Sequence, residues 1–266
     1  MVNSSTGLSR SLSSGEIDPR EILLELNFKL GMRSLNDVQL VYLNEVKRQM
    51  IMREFARSAL EVQTYKVLPG ARQASDANWL KLYNGDTGIP ILDACVKDLK
   101  AGLPHNRARL LLAREAIRRY NVDPQIVSDW FKENLKDYSP VINTFNIVVA
   151  ASGINAGEPY FRRSNPFTAA KKLDPDGAYI SRHGFATRFK PSESEQIEIN
   201  AGSQEWLERW KKLRESESSC EVKKLWPTQD IDKGIYFIKN QIRANGSFAP
   251  YFNSYINQED YFIDHS

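Results

Sequence analysis

Apolar residues recur along this chain mostly at steps of three and four, the spacing that keeps side chains on one helical face. Val38, Val41, Tyr42, Val46 and Met50 predict one face of a helix running from about Asn36 into the fifties. A second helix is expected to begin near Asp18-Pro19, since Asp caps a first turn and Pro suits the position after it. Its apolar residues are Ile22, Leu23, Leu26 and Leu30. From Asn106 to Tyr120, Leu110, Leu112, Ala113, Ala116 and Ile117 supply an apolar side, and Arg107, Arg114, Arg118 and Arg119 supply charge. A further short helix is expected from Ile126 to Leu135. Asn143 to Ala151 is the one β-like run, and periodicity alone leaves strand and buried helix both open there. The polar stretch from Ser192 to Glu221 carries Trp206 and Trp210 at i,i+4. The expected fold class is all-α, mainly helical, with no internal repeat.

Composition narrows the classes without choosing among them. The chain has 266 residues, 41% hydrophobic and 26% charged, an ordinary globular balance. The net charge is +3, from 36 Lys and Arg against 33 Asp and Glu, so any nucleic-acid role needs a local patch. Cys95 and Cys220 permit one disulfide but neither a disulfide framework nor a zinc cluster. His105, His183 and His265 leave little material for a metal site. No run of about 18 apolar residues predicts a membrane span. The first residues lack a secretory h-region, so a soluble protein of the cytoplasm or another intracellular compartment is expected.

Four stretches carry the chemistry. They are Ser5-Thr-Gly-Leu-Ser9 with Ser14-Gly-Glu-Ile-Asp-Pro-Arg-Glu21; Met52-Arg-Glu-Phe55; Gly85-Asp-Thr-Gly-Ile-Pro-Ile-Leu-Asp-Ala94 with His105-Asn-Arg-Ala-Arg109; and Glu158-Pro-Tyr-Phe-Arg-Arg-Ser-Asn-Pro166 with Leu173-Asp-Pro-Asp-Gly-Ala-Tyr-Ile180. In this order and spacing they resemble the FAD-binding helical domain of the photolyase/cryptochrome family, over roughly residues 5 to 180. The resemblance implies that family's helical bundle over residues 1–180, with 181–266 a divergent aromatic-rich segment packed on the same domain.

It also implies FAD as cofactor. Ser5, Thr6, Gly7, Leu8 and Ser9 form the expected phosphate-binding loop, where hydroxyls and backbone N–H groups at a helix start suit a pyrophosphate. Arg53 and Gln49, one turn apart, are expected on one side of their helix, with Arg53 toward the phosphates. Asn106 and Arg109 border the flavin, and Asp137 pairs with Arg109. Asn143 matches the position facing the reactive flavin nitrogen, and Ser139 stands where the family has a second acid.

The departures matter as much. The family begins with an α/β antenna domain, whereas here the first motif starts within ten residues of Met1, so no antenna site is expected. The three relay tryptophans of the family correspond to Gln73, Pro124 and Ile147, none redox-active at accessible potentials. Trp79 and Trp130 are expected as core aromatics. The tryptophan that stacks on a flipped pyrimidine dimer corresponds to Met52, and the glutamate that binds the dimer to Gln49. Past residue 180 the resemblance fades into Ser181-Arg-His-Gly-Phe185 and a tail rich in aromatics, among them Trp226, Tyr251 and Phe262.

The reading that follows is an FAD-binding flavoprotein without antenna or tryptophan relay, used in light or redox sensing or as a complex subunit, not in lesion repair. One alternative is a reduced DNA photolyase, a lyase acting on pyrimidine dimers, with Arg107 and Arg162 toward DNA. Another is a flavin-free scaffold that binds a protein partner through the aromatic C-terminal region.

Overall fold

The computed structural model describes residues 6–32, 34–62, 70–152 and 165–218. Helix starts follow one local rule. Asp18, Asp76, Asp123 and Asn165 each accept a backbone N–H two residues on, and three of them precede a proline at the first helical position. The helices are α1 (Ser9–Ser14), α2 (Pro19–Leu30), α3 (Asp37–Val62), α4 (Ala77–Asn84), α5 (Pro90–Ala101) and α6 (Asn106–Arg114). A π-helical turn (Glu115–Arg119) continues α6, followed by α7 (Pro124–Asn134), α8 (Pro140–Ser152), α9 (Pro166–Leu173), α10 (Ala178–Arg182) and α11 (Glu193–Ser218). Among the described residues no strand forms; one isolated bridge joins Arg72 to Val122. The fold is all-α, and the run from Asn143 to Ala151 is helix.

Two apolar cores hold these elements. The larger joins α4 to α11 and contains Trp79, Leu92, Leu112, Trp130, Phe167 and Trp206. The smaller joins α1, α2 and α3 through Leu12, Leu26, Val46 and Met50. The face expected on α3 is therefore split. Val46 and Met50 are buried, while Val38 and Val41 are 79% and 70% exposed, because the small core takes in α3 only from Leu43 onward, where Ile22, Leu23 and Leu26 of α2 meet it.

The π-turn places charge in the interior. Inserting one extra residue per turn re-aims side chains, and Glu115, Arg118 and Arg119 are all buried here. Arg118 Nε donates to the Ala150 carbonyl of α8 at 2.6 Å, and its guanidinium lies 4.9 Å from the Trp206 ring centroid. Arg119 sits 3.5 Å from the Glu115 carboxylate and 3.6 Å from that of Glu198. These contacts carry α11 onto the domain. The chain then turns at Asn121, whose φ of 52° is tolerated by a short polar side chain. Its carbonyl accepts from the N–H groups of Ala71 and Arg72.

Candidate cofactor site

The residues expected at the cofactor fall on α1, α3, α6 and α8 and on the segments that lead into α1 and α8. Ser5 lies outside the described residues; Thr6, Gly7 and Ser9 are exposed and Leu8 is half-buried. Thr6 Oγ1 accepts from the Leu8 N–H at 3.4 Å. Gly7 has a φ of 70°, with no atom within 4 Å of an added Cβ, so glycine is required there by backbone conformation and not by crowding. Arg53 Nη2 donates to the Leu12 carbonyl at 3.0 Å, which ties α3 to α1, the helix that follows the Thr6–Leu8 segment. Gln49 is exposed and donates to Glu45 at 2.8 Å, so it and Arg53, one turn apart, are engaged by different partners. Met52 is half-buried.

α3 packs on α8, and α8 packs on α6. From α6, Arg109 Nη2 donates to both oxygens of Asp137, in the segment that leads into α8, at 2.9 and 2.8 Å, and Arg109 Nε donates to the Pro104 carbonyl at 3.1 Å. Their side chains are 11% and 1% exposed, so the pair is shielded from solvent. Asn143 is buried as well. Its Nδ2 donates to the Ser139 carbonyl at 3.0 Å, and its Oδ1 has no hydrogen-bond partner. A buried amide oxygen without a donor costs about 1–3 kcal/mol unless something supplies one. Ser139 takes part through its main chain, accepting from both nitrogens of Asn143.

Asn106 opens α6, and its Oδ1 accepts from Asn146 Nδ2 at 3.1 Å. Asn146 was not among the residues expected from sequence. The signal was its spacing of three from Asn143, which puts both amides on one side of α8.

His105 caps α6, its Nδ1 accepting the Arg107 N–H at 3.2 Å. Burial, then the charge of Arg107, lowers its pKa below the usual 6.5. A depressed histidine pKa means stability is fully present above the unfolded value and declines as pH falls through the folded one. Acidification below about 6.5 is thus expected to fray the first turn of α6 and speed amide exchange at Arg107. A His105→Asn variant keeps a capping acceptor and should lose this pH dependence.

Two of the recognised motifs are scaffold. Asp93 accepts from Thr87 N–H, Thr87 Oγ1 and Gly88 N–H at 2.9, 2.6 and 3.1 Å, which closes the Gly85–Asp93 turn. Asp174 accepts from the N–H groups of Tyr179 and Ile180 at 2.8 and 2.9 Å and starts α10. Tyr179 Oη then donates to Asp98 of α5 at 2.7 Å. Cys95 is a free, fully buried thiol, pushed up to about 12 by burial.

Pro124 and Ile147 line one hollow of about 300 Å³ between α7 and α8, together with Asp123, Gln125, Ser128, Thr144 and Val148. Gln73 is exposed. Trp79 and Trp130 pack edge-on at 5.1 Å inside the larger core, with Tyr83 at 5.8 and 5.9 Å from them. Arg107 is exposed; Arg162, Cys220 and the aromatic tail lie outside the described residues. Among the described residues no helix is long and apolar enough to cross a membrane, and no His/Cys/Asp/Glu group could hold a metal ion.

Comparison with known proteins bears on this arrangement. Residues 26–234 match the model of the FAD binding domain of DNA photolyase. The chain is 30% identical over 203 residues to the deoxyribodipyrimidine photo-lyase of Salmonella typhimurium, covering 73% of this chain and 42% of that protein. It is 28% identical over 193 residues to the one from Agrobacterium fabrum, covering 66% and 37%. A class III photolyase from Agrobacterium tumefaciens superimposes with a TM-score of 0.63 at 20% identity, over 80% of this chain and 50% of that one. A Synechocystis cryptochrome superimposes with a TM-score of 0.57 at 26% identity, over 67% and 38%. The chain thus spans less than half the length of these two curated relatives.

Proposed function

We propose that this chain, which belongs to the family of the FAD binding domain of DNA photolyase, holds FAD among α1, α3, α6 and α8 and serves light or redox sensing and not lesion repair. The observation that carries the cofactor reading is the Asn143 amide, buried with its oxygen unpartnered on α8, which packs against α6, the helix that carries Arg109. A flavin ring, which absorbs blue light and exchanges one or two electrons, presents a nitrogen that can become an N–H donor for such an oxygen.

The residues divide the work. Arg53 and the loop Ser5, Thr6, Gly7, Leu8 and Ser9 hold the phosphates, with a guanidinium and backbone N–H groups as the donors. Asn106, Arg109 and Asn143 hold the ring, with Asp137 keeping Arg109 in place and Ser139 fixing Asn143 through its carbonyl. Gln49, tied to Glu45, borders the site. The non-repair assignment is supported by Met52, which gives a lesion base no aromatic face, and by Pro124 and Ile147, which cannot carry electrons inward.

A second reading, photorepair, is favoured by the names of the relatives, deoxyribodipyrimidine photo-lyases. One sample tests both. Purified protein is expected to be yellow and to release FAD on denaturation; colourless protein that takes up no added FAD overturns the cofactor reading. Chemically reduced protein, illuminated with a dimer-bearing oligonucleotide, is expected to leave the dimer intact. Turnover there would make repair the function, and Met52→Trp with Gln49→Glu should then raise it.

A further inference from the structure

Asn146 is buried on α8 and donates from Nδ2 to Asn106 Oδ1 at 3.1 Å. A carboxamide has one accepting end and one donating end. With one lone pair of its oxygen engaged by Asn146, that end of Asn106 is turned toward α8, and its whole NH2 group is left to offer on the other side. Among the described residues that NH2 group has no acceptor, and Asn106 is exposed. Asn143 is fixed in the opposite sense, since its Nδ2 is spent on Ser139 and its oxygen is left over. The wall of the site therefore offers an acceptor at Asn143 and a donor at Asn106.

We propose that Asn146 is a positioning residue, which sets the polarity of Asn106 so that a donor and not an acceptor is presented to FAD. This rests on the cofactor reading above. Asn146→Asp places an acceptor where a donor stood, so Asn106 must turn, give its NH2 group to the new carboxylate and present its oxygen. Asn106→Asp gives the same wall by another route. Asn146→Leu removes the partner without imposing a turn.

The test is FAD affinity by fluorescence quenching, with melting temperature recorded for each variant. Asn146→Asp and Asn106→Asp are each expected to bind FAD about tenfold more weakly, the cost of one buried hydrogen-bonding group facing its like. Asn146→Leu should lose less. A role in stability alone predicts the reverse order, because Asp keeps a hydrogen bond to Asn106 and Leu does not. Asn146→Asp with wild-type affinity, or Asn146→Leu binding more weakly than Asn146→Asp, overturns the proposal.

Side-chain amide NMR on the unaltered chain covers the case in which a variant fails to fold. Without FAD the Asn146 NH2 protons should exchange slowly and those of Asn106 fast, and FAD should slow the latter. Asn106 protons indifferent to bound FAD overturn the proposal while leaving cofactor binding standing. No FAD uptake by the wild-type chain overturns both.

Discussion

Arg109→Met should cost about 3–5 kcal/mol of stability, a large part of the roughly 5–15 kcal/mol that a domain has. The reason is asymmetry. Asp137 has a side chain only 1% exposed, and both of its oxygens accept from the one Arg109 nitrogen. Removing the cation leaves a carboxylate in a place that water does not reach. Asp137→Leu should cost less than Arg109→Met, since Arg109 is 11% exposed and keeps the Pro104 carbonyl. The double variant should recover part of the loss, because two apolar side chains of similar size carry no buried charge. Urea unfolding of the three proteins gives the comparison. Additive losses, with the double variant the least stable, would mean the two groups do not act as a pair. FAD uptake should be lost in the single variants and stay lost in the double, as stability returns without the guanidinium.

Gly202 is the second position where a small change should act strongly. Gly→Ala inside a helix ordinarily stabilises by about 1 kcal/mol. Here the sign should invert. A Cβ at Gly202 would lie 2.2 Å from the Arg119 carbonyl oxygen and 3.0 Å from its carbon, both backbone atoms that cannot rotate away. Gly202→Ala is expected to destabilise by about 1–3 kcal/mol, and Gly202→Val by more. The larger side chain should lift α11 from the π-turn and take Trp206 and Trp210, 1% and 8% exposed, out of the core. Each indole buries about 150–250 Å², which at about 25 cal/mol per Å² is roughly 4–6 kcal/mol per ring as an upper bound. Red-shifted tryptophan emission and faster amide exchange over residues 193–212 would mark the release. Unchanged exchange in Gly202→Val would mean that α11 does not depend on this close approach.

Much of the architecture is legible in the sequence. The Asp18-Pro19 start of α2 and the i,i+4 pair Trp206 and Trp210 on α11 are set by local rules of capping and period. The pairing of Arg109 with Asp137 was legible only through resemblance, because 28 residues separate them and spacing carries no information at that range. Pattern reading went less far on α3, where Val38 and Val41 share a period with Val46 and Met50 but not a packing partner. Periodicity says which residues share a face, not how far along the helix a neighbour reaches.

The sequence by itself determined where helices start, that they dominate, and which family of motifs the chain carries, since capping, period and motif order are written in adjacent residues. Only the tertiary structure decided that 143–151 is helical and that its helix packs against α3, α6 and α7. Only it decided that Asn146 meets Asn106, that Pro124 and Ile147 share a hollow, and that Asp93 and Asp174 are braces of the scaffold. Those facts depend on which groups distant in sequence come close enough to exchange a hydrogen bond or exclude water, and the packing of whole helices sets that distance.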